Sequence, residues 1–277
     1  MVKVLVSGAA GMLGRDVVRA AELAAHQVVP FDRRTLDVTD PETTKRIVEA
    51  ERPDAVINCA AYTDVDGAEA DPEGAMRVNA RGARNLSEAA EAVGAAVIYP
   101  STDYVFDGSK STPYLEDDEP APLGSYGASK LAGEVETAAV NPRHHVVRTS
   151  WLFGTAGRNF VETMIRLVEE RDEVKVVRDQ VGSPTYTAHL AAGIVRLLPS
   201  DAYGLHHMSA GGECSWYDFA VAIFDRLGIG CEVAPTTTED IGRPAPRPAY
   251  SVLDTQREDA IYLPDWQTGL VDYLEER

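Results

Sequence analysis

Apolar positions along the chain fall into blocks of two lengths. Short runs dominated by Val, Ile, Leu and Ala occupy Val2–Ser7, Gln27–Phe31, Ala55–Cys59, Ala95–Tyr99 and His145–Arg148. Brief apolar runs bounded by turn residues read as strands buried on both faces. Between them lie longer stretches whose apolar residues recur at helical spacing: Leu13–Ala24, Pro41–Glu51, an Ala-rich Pro72–Val93, and Tyr126–Ala139. Strands and helices alternating in this way call for a parallel sheet with helices on both faces. Past Trp151 the rhythm loosens. Helices are expected over Asn159–Glu170, His189–Leu198 and a capped Ser215–Leu227, with strands at Val174–Val177 and Tyr203–Met208. Gly242–Pro248, rich in proline and arginine, must be irregular. The expected fold is an α/β doubly wound parallel sheet over residues 1–150. A smaller lobe follows over 151–277, and part of 174–200 returns to the main sheet.

Composition narrows the function. The formal charge of −18 argues against nucleic-acid binding, which needs basic patches. An anionic ligand must instead be met locally by backbone amides and a few placed arginines. So lopsided a balance also suggests a high-salt cytoplasm, where screening removes self-repulsion. No apolar run approaches the roughly 20 residues that span a bilayer. Cys59, Cys214 and Cys231 are far apart and lack metal or disulfide spacing, so the chain is expected in the cytoplasm.

Gly8, Gly11 and Gly14 form G-x-x-G-x-x-G directly after the first strand and before the first helix. Glycines there let the backbone turn tightly and approach a pyrophosphate, while the helix start offers free amides. This is the dinucleotide-binding arrangement of a Rossmann-type domain. Asp32 ends the second strand, followed by Arg33. The acid suits the ribose hydroxyls of NAD and the arginine the 2′-phosphate of NADP, so NADH and NADPH both stay open. Asp37 either reaches the adenine edge or caps the helix beginning at Pro41.

Tyr126 and Lys130 stand one helical turn apart in Tyr-Gly-Ala-Ser-Lys. A neighbouring ammonium brings a tyrosine down from its usual pKa near 10, so that it can exchange a proton with a carbonyl oxygen. The fourth strand ends in Ser101-Thr102-Asp103-Tyr104-Val105-Phe106, at the edge where doubly wound sheets bind ligands. Thr102 is the first choice there to hydrogen-bond a substrate carbonyl, and Ser101 a lesser candidate.

Glycine turn, hydroxyl and tyrosine–lysine pair, in this order, resemble the extended short-chain dehydrogenase/reductase family, and within it the dTDP-4-dehydrorhamnose reductases. The resemblance runs almost end to end. It includes Asn58–Asp66, Val78-Asn79-Ala80, Ser101–Phe106, Tyr126–Glu134, Arg148–Trp151, Asp179–Thr185, Arg247-Pro248 and Leu263–Trp266. It implies NAD(P)H-dependent reduction of the 4-keto group of a dTDP-linked 6-deoxysugar, with Thr102, Tyr126 and Lys130 catalytic. It sets Gly8, Gly11, Met12, Leu13, Asp32, Arg33, Ala60, Ala61 and Tyr62 around the cofactor. Val65, Asp103, Tyr104 and Trp151 would line the sugar pocket. Trp151 offers a flat face to a deoxysugar, or is an ordinary core tryptophan. Arg247 either pairs with nucleotide phosphate or salt-bridges to one of the many acids. Some members carry a metal-linked dimer; Asp16 falls at one such position but Ala188 at the other, so no metal is expected. A homodimer is the expectation from the general frequency of such assemblies.

Other functions weigh less. A dehydratase of this family needs a second carboxylate after the catalytic hydroxyl, where Tyr104 stands. An epimerase needs little beyond the same pair and a retained cofactor. A non-catalytic regulatory subunit on the same fold would have no need of an intact Thr102, Tyr126 and Lys130 set.

Overall fold

The computed structural model describes residues Met1–Arg277. The first half builds the expected parallel layers: β1 (Lys3–Ser7), α1 (Met12–Leu23), β2 (Gln27–Phe31), α2 (Pro41–Glu51), β3 (Ala55–Asn58), α3 (Val65–Ala70), α4 (Pro72–Met76), α5 (Gly82–Val93), β4 (Ala96–Thr102), α6 (Ser125–Val140) and β5 (His144–Thr149). β1, β3 and β4 are buried almost throughout, as their unbroken apolar runs require. The strand Gly204–His207 adds a parallel edge beside β5. From that edge the sheet runs β5, β4, β3, β1, β2. The order reverses between β1 and β3, which opens a crevice at their C-terminal ends.

The helix expected over Pro72–Val93 runs without a break but is not α-helical throughout. Arg77–Arg81 forms a turn of π-helix between α4 and α5, with Asn79 fully buried. The widened turn frees the Asn79 carbonyl, which accepts from the Tyr99 hydroxyl at 2.9 Å. Its side chain clasps the Tyr62 backbone in both directions (2.8 and 3.0 Å) and donates to Ser129 Oγ at 2.9 Å. One residue thus ties the loop after β3 to α6, and such π-turns gather at functional sites.

The smaller lobe has its own core, in which Phe153, Phe219, Ile223, Leu270 and Tyr273 are buried together. Its strand Glu173–Val177 pairs in parallel with Glu232–Thr236 rather than with the main sheet. The helix Thr187–Leu197 packs against α1 and leads to the edge strand Gly204–His207. Ser215 and Asp218 form a reciprocal cap at the start of Trp216–Leu227. The strand Glu232–Thr236 and the closing helix Trp266–Glu276, capped by Asp265, lie outside the sequence-based expectation.

Candidate active site

The crevice is shaped first by missing side chains. Gly8 has φ +65°, and a Cβ there would lie 2.5 Å from the Ala60 amide. A Cβ on Gly14 would lie 2.2 Å from the Gly8 carbonyl, so loop and helix touch directly. α1 starts at Gly11 without a side-chain cap, leaving its first amides facing the crevice. Asn58 accepts from Ser7 Oγ at 2.8 Å and from the Ala60 amide at 3.2 Å, while its buried Nδ2 has no partner.

At the tip of β2, hydrogen bonds from Thr35 and Arg34 hold the Asp32 carboxyl below the usual carboxylate range. Arg34, not Arg33, is the arginine paired with Asp32, at 3.0 Å; Arg33 is exposed. Asp37 is exposed and accepts from the Thr39 amide and hydroxyl at 3.0 and 2.8 Å. The residue that caps α2 is Asp40, which corrects the capping alternative for Asp37.

A cavity of about 470 Å³ joins this crevice to the ends of β4 and α6. Gly11, Met12, Leu13, Gly14, Ala61 and Val65 line it, as do Thr102, Asp103, Tyr104, Tyr126, Lys130 and Trp151. Gly8, Asp32, Arg33, Asp37, Ala60, Tyr62 and Arg247 do not. Gly127 lets α6 rest on the turn after β4, since a Cβ there would stand 2.1 Å from the Tyr104 carbonyl. Tyr104 and Tyr126 meet edge to face at 5.9 Å.

The charges at this end differ from expectation in one respect. Burial pushes the Tyr126 phenol up to about 12; Thr102 opposes this and Asp103 adds to it, and Lys130 is not among the groups that move it. Lys130 donates instead to the Pro100 carbonyl at 2.7 Å, and burial draws it down to about 7. The helix spacing puts the two on one face, but within the protein alone the ammonium does not lower the phenol. Burial raises the Asp103 carboxyl to about 7. Thr102 Oγ1 donates to Asp103 Oδ1 at 3.1 Å, and the buried Oδ2 has no hydrogen-bond partner.

Trp151 is neither fully open nor in the core. It has φ +47°, uncommon for a residue with a Cβ, and lines the cavity. One face is covered by Trp216, with centroids 3.6 Å apart and planes within 3°. Spacing gave no sign of Trp216, nor of Asn58, Arg158 and Phe160, which also line the cavity. Asn58 alone carried a signal, as part of the stretch Asn58–Asp66 that bears the family resemblance. A second cavity of about 410 Å³ adjoins the first at Val65, Tyr104, Phe160 and Trp216, and is lined by Lys175, Arg243 and Arg247. Arg247 pairs there with Asp66 at 3.0 Å and donates to the Ala245 carbonyl at 2.9 Å. Its salt-bridge alternative is therefore the contact present, at the rim of a cavity rather than on open surface.

Residues 2–277 match the model of the family described as the RmlD substrate binding domain. The chain belongs to that family. A dTDP-4-dehydrorhamnose reductase of Burkholderia thailandensis is 41% identical, over 96% of this chain and 95% of its own length. A dTDP-4-keto-6-deoxy-D-glucose reductase of Streptomyces niveus is 40% identical, over 96% and 94%. The crystal structure of dTDP-4-dehydrorhamnose reductase from Bacillus anthracis in complex with NADP superposes with a TM-score of 0.97 at 42% identity. That match covers 100% of this chain and 99% of the other. This RmlD-family chain thus shares sequence with those reductases over nearly its whole length, and shape with the one from Bacillus anthracis.

Proposed function

We propose that this chain is an NAD(P)H-dependent reductase that converts the 4-keto group of a dTDP-4-dehydro-6-deoxy-L-sugar to the alcohol of dTDP-L-rhamnose. Such a product serves polysaccharide and glycan synthesis. The observation that carries this reading is a single cavity in which the uncapped start of α1 faces Thr102 and a protonated Tyr126. Burial pushes the Tyr126 phenol up, so at neutral pH it carries the proton that a reduced carbonyl oxygen must receive.

The residues fit a dinucleotide. Gly8 and Gly14 leave no room for a Cβ, the first amides of α1 are free, and Asn58 Nδ2 is buried without a partner. Gly8, Gly11, Met12, Leu13, Gly14, Ala60, Ala61 and Tyr62 would hold its phosphates and nicotinamide half. Asp32, Arg33 and Asp37 lie toward the adenosine half. Because Asp32 is already engaged by Arg34 and Thr35, Arg33 is the side chain available for a 2′-phosphate, which supports acceptance of NADPH as well as NADH. When bound, the reduced nicotinamide supplies a hydride to the carbonyl carbon. Tyr126 gives its proton to the oxygen, and Thr102 orients that oxygen by hydrogen bond. Lys130 braces the floor beneath them.

The two cavities support a division of labour in which residues 1–150 hold the cofactor and 151–277 mainly the substrate. Trp151 and Trp216 together form a wall against a deoxysugar and its methyl group. Arg243, Arg247 and Lys175 gather positive charge where a sugar diphosphate would extend, in a chain of net charge −18. Val65 and Tyr104 line both cavities and would contact the sugar between them. No helix is long and apolar enough to cross a membrane. We place the enzyme in the cytoplasm, as a homodimer.

The test is absorbance at 340 nm with NADPH or NADH, offering the 4-keto-6-deoxy sugar in both C5 configurations. Oxidation with the L-configured substrate supports the reading. Preference for the D-configured one moves the assignment toward the activity named for the Streptomyces relative. No oxidation with either, by folded protein that binds cofactor, overturns it.

A further inference from the structure

Behind the candidate site three charged side chains are buried together. Lys130, Glu134 and Arg148 are 3%, 6% and 3% exposed. Glu134 follows Lys130 by one turn of α6, so both reach toward the end of β4. Arg148, on β5, grips Glu134 with Nη2 and Nε at 2.7 and 3.0 Å, and Ser101 Oγ donates to the same carboxylate at 2.5 Å. Lys130 Nζ donates to Pro100 and sits 3.9 Å from the centre of the Tyr99 ring. Tyr99, Pro100 and Ser101 are thus held one after another, and the next residue is Thr102. Gly133 permits the close approach, since a Cβ there would stand 2.2 Å from both the Asn79 carbonyl and the Tyr99 hydroxyl.

A buried arginine on a buried carboxylate, with a second buried cation one helical turn away, is a poor way to gain stability, because desolvation cancels much of the attraction and apolar residues would serve as well. Arg148 Nη1 is left without a partner. The arrangement makes sense through Lys130. Burial strips that ammonium of water, and Glu134 is the largest influence opposing the loss of its charge. Near Lys130 are Cys59 at the end of β3, Tyr99 on β4 and Glu134 on its own helix; Asp103, on the turn after β4, and Tyr126 line the same cavity, and Arg148, on β5, is bound to Glu134. Burial keeps the Cys59 thiol neutral, pushed up to about 12.

We infer that Glu134 is a positioning residue for the reduction, bolting α6 to the end of β4 so that Tyr126 and Thr102 face one oxygen, and holding a buried negative charge one helical turn from Lys130. This rests on the reading of Tyr126 and Lys130 given above.

The test follows Lys130 directly. The chain has five lysines, Lys3, Lys45, Lys110, Lys130 and Lys175, so ε-¹³C-lysine NMR of the whole protein resolves their titrations. Lys130→Met assigns the signal. Glu134→Gln is expected to lower the Lys130 midpoint by about one pH unit or more, the usual effect of losing a nearby opposite charge. Glu134→Asp is expected to restore most of it. Arg148→Gln, which removes the cation that neutralises Glu134, is expected to move the midpoint up. In turnover, the alkaline limb of kcat should shift with each midpoint, whereas a purely structural role would lower kcat at every pH and leave the limb in place. An unmoved midpoint in folded Glu134→Gln overturns the inference. If that variant unfolds, a fixed or lowered midpoint in Arg148→Gln does so. Failure of the reductase reading shows separately, as wild-type protein that oxidises no cofactor while its lysine titrations stay intact.

Discussion

The two sides of the candidate site are built from different materials. On the side proposed for the cofactor the wall is backbone: the left-handed Gly8, the close-packed Gly14 and the uncapped amides of α1. On the side proposed for the sugar it is large side chains from distant segments, with Trp151 stacked on Trp216 and Arg247 paired to Asp66. Between them stand Thr102, Tyr126 and Lys130 on the floor. The contrast teaches where change is tolerated. The backbone side rejects any added atom, whereas the sugar side can be trimmed without disturbing the sheet.

Variants can break this contrast. The largest effect belongs to the floor: Tyr126→Phe should lower kcat by about 10²–10⁴-fold, the share of a general acid, with cofactor affinity in fluorescence titration unchanged. Near-normal turnover removes Tyr126 from the chemistry. Next, Gly14→Val forces atoms toward the Gly8 carbonyl and the Ala9 Cα. Overpacking of this kind costs about 1–3 kcal/mol, so melting temperature and cofactor affinity should fall together. Unchanged cofactor binding would mean that the glycine turn does not shape the site. On the opposite side, Trp216→Ala should raise KM for the nucleotide sugar about tenfold, from the lost stack and contact area, and leave cofactor affinity alone. If both affinities drop equally, the two sides are not separable.

A pH effect sharpens the comparison within the main sheet. His145 and His206 are buried against each other at 3.1 Å on neighbouring strands, and burial lowers both to about 4. A histidine depressed in the folded state contributes stability that is present above its unfolded value near 6.5. That stability is lost as pH falls from there toward 4, because the unfolded chain binds the proton first. Melting temperature should therefore drop across this window; a flat profile would show that the pair is not held neutral. The smallest expected effect is a modest rise in melting temperature from low to molar salt, as screening relieves a charge of −18. No rise would argue against adaptation to high salt.

The same contrast governs what could be read from the sequence. Gly8, Gly11 and Gly14 were legible as a turn because a tight turn after a buried strand demands particular residues at fixed spacing. Tyr126 and Lys130 shared a helix face by spacing alone, but their mutual electrostatics depend on burial, which spacing does not report. Trp216 was not legible, since its stack on Trp151 depends on how a distant helix lands. The π-turn at Asn79 looks like ordinary Ala-rich helix, because what opens it is the Tyr99 hydroxyl from another strand. Glu232–Thr236 is only partly buried along its length, so it lacks the apolar signature of β1 or β3.

The central claim is that this protein delivers a hydride to C4 of a nucleotide-linked ketosugar. Turnover with cofactor deuterated at nicotinamide C4, followed by ¹H NMR of the isolated product, tests it most directly. The account predicts deuterium at sugar C4 with stoichiometric oxidation of cofactor. Deuterium at another sugar carbon, or a changed sugar with no net cofactor oxidation, would contradict it.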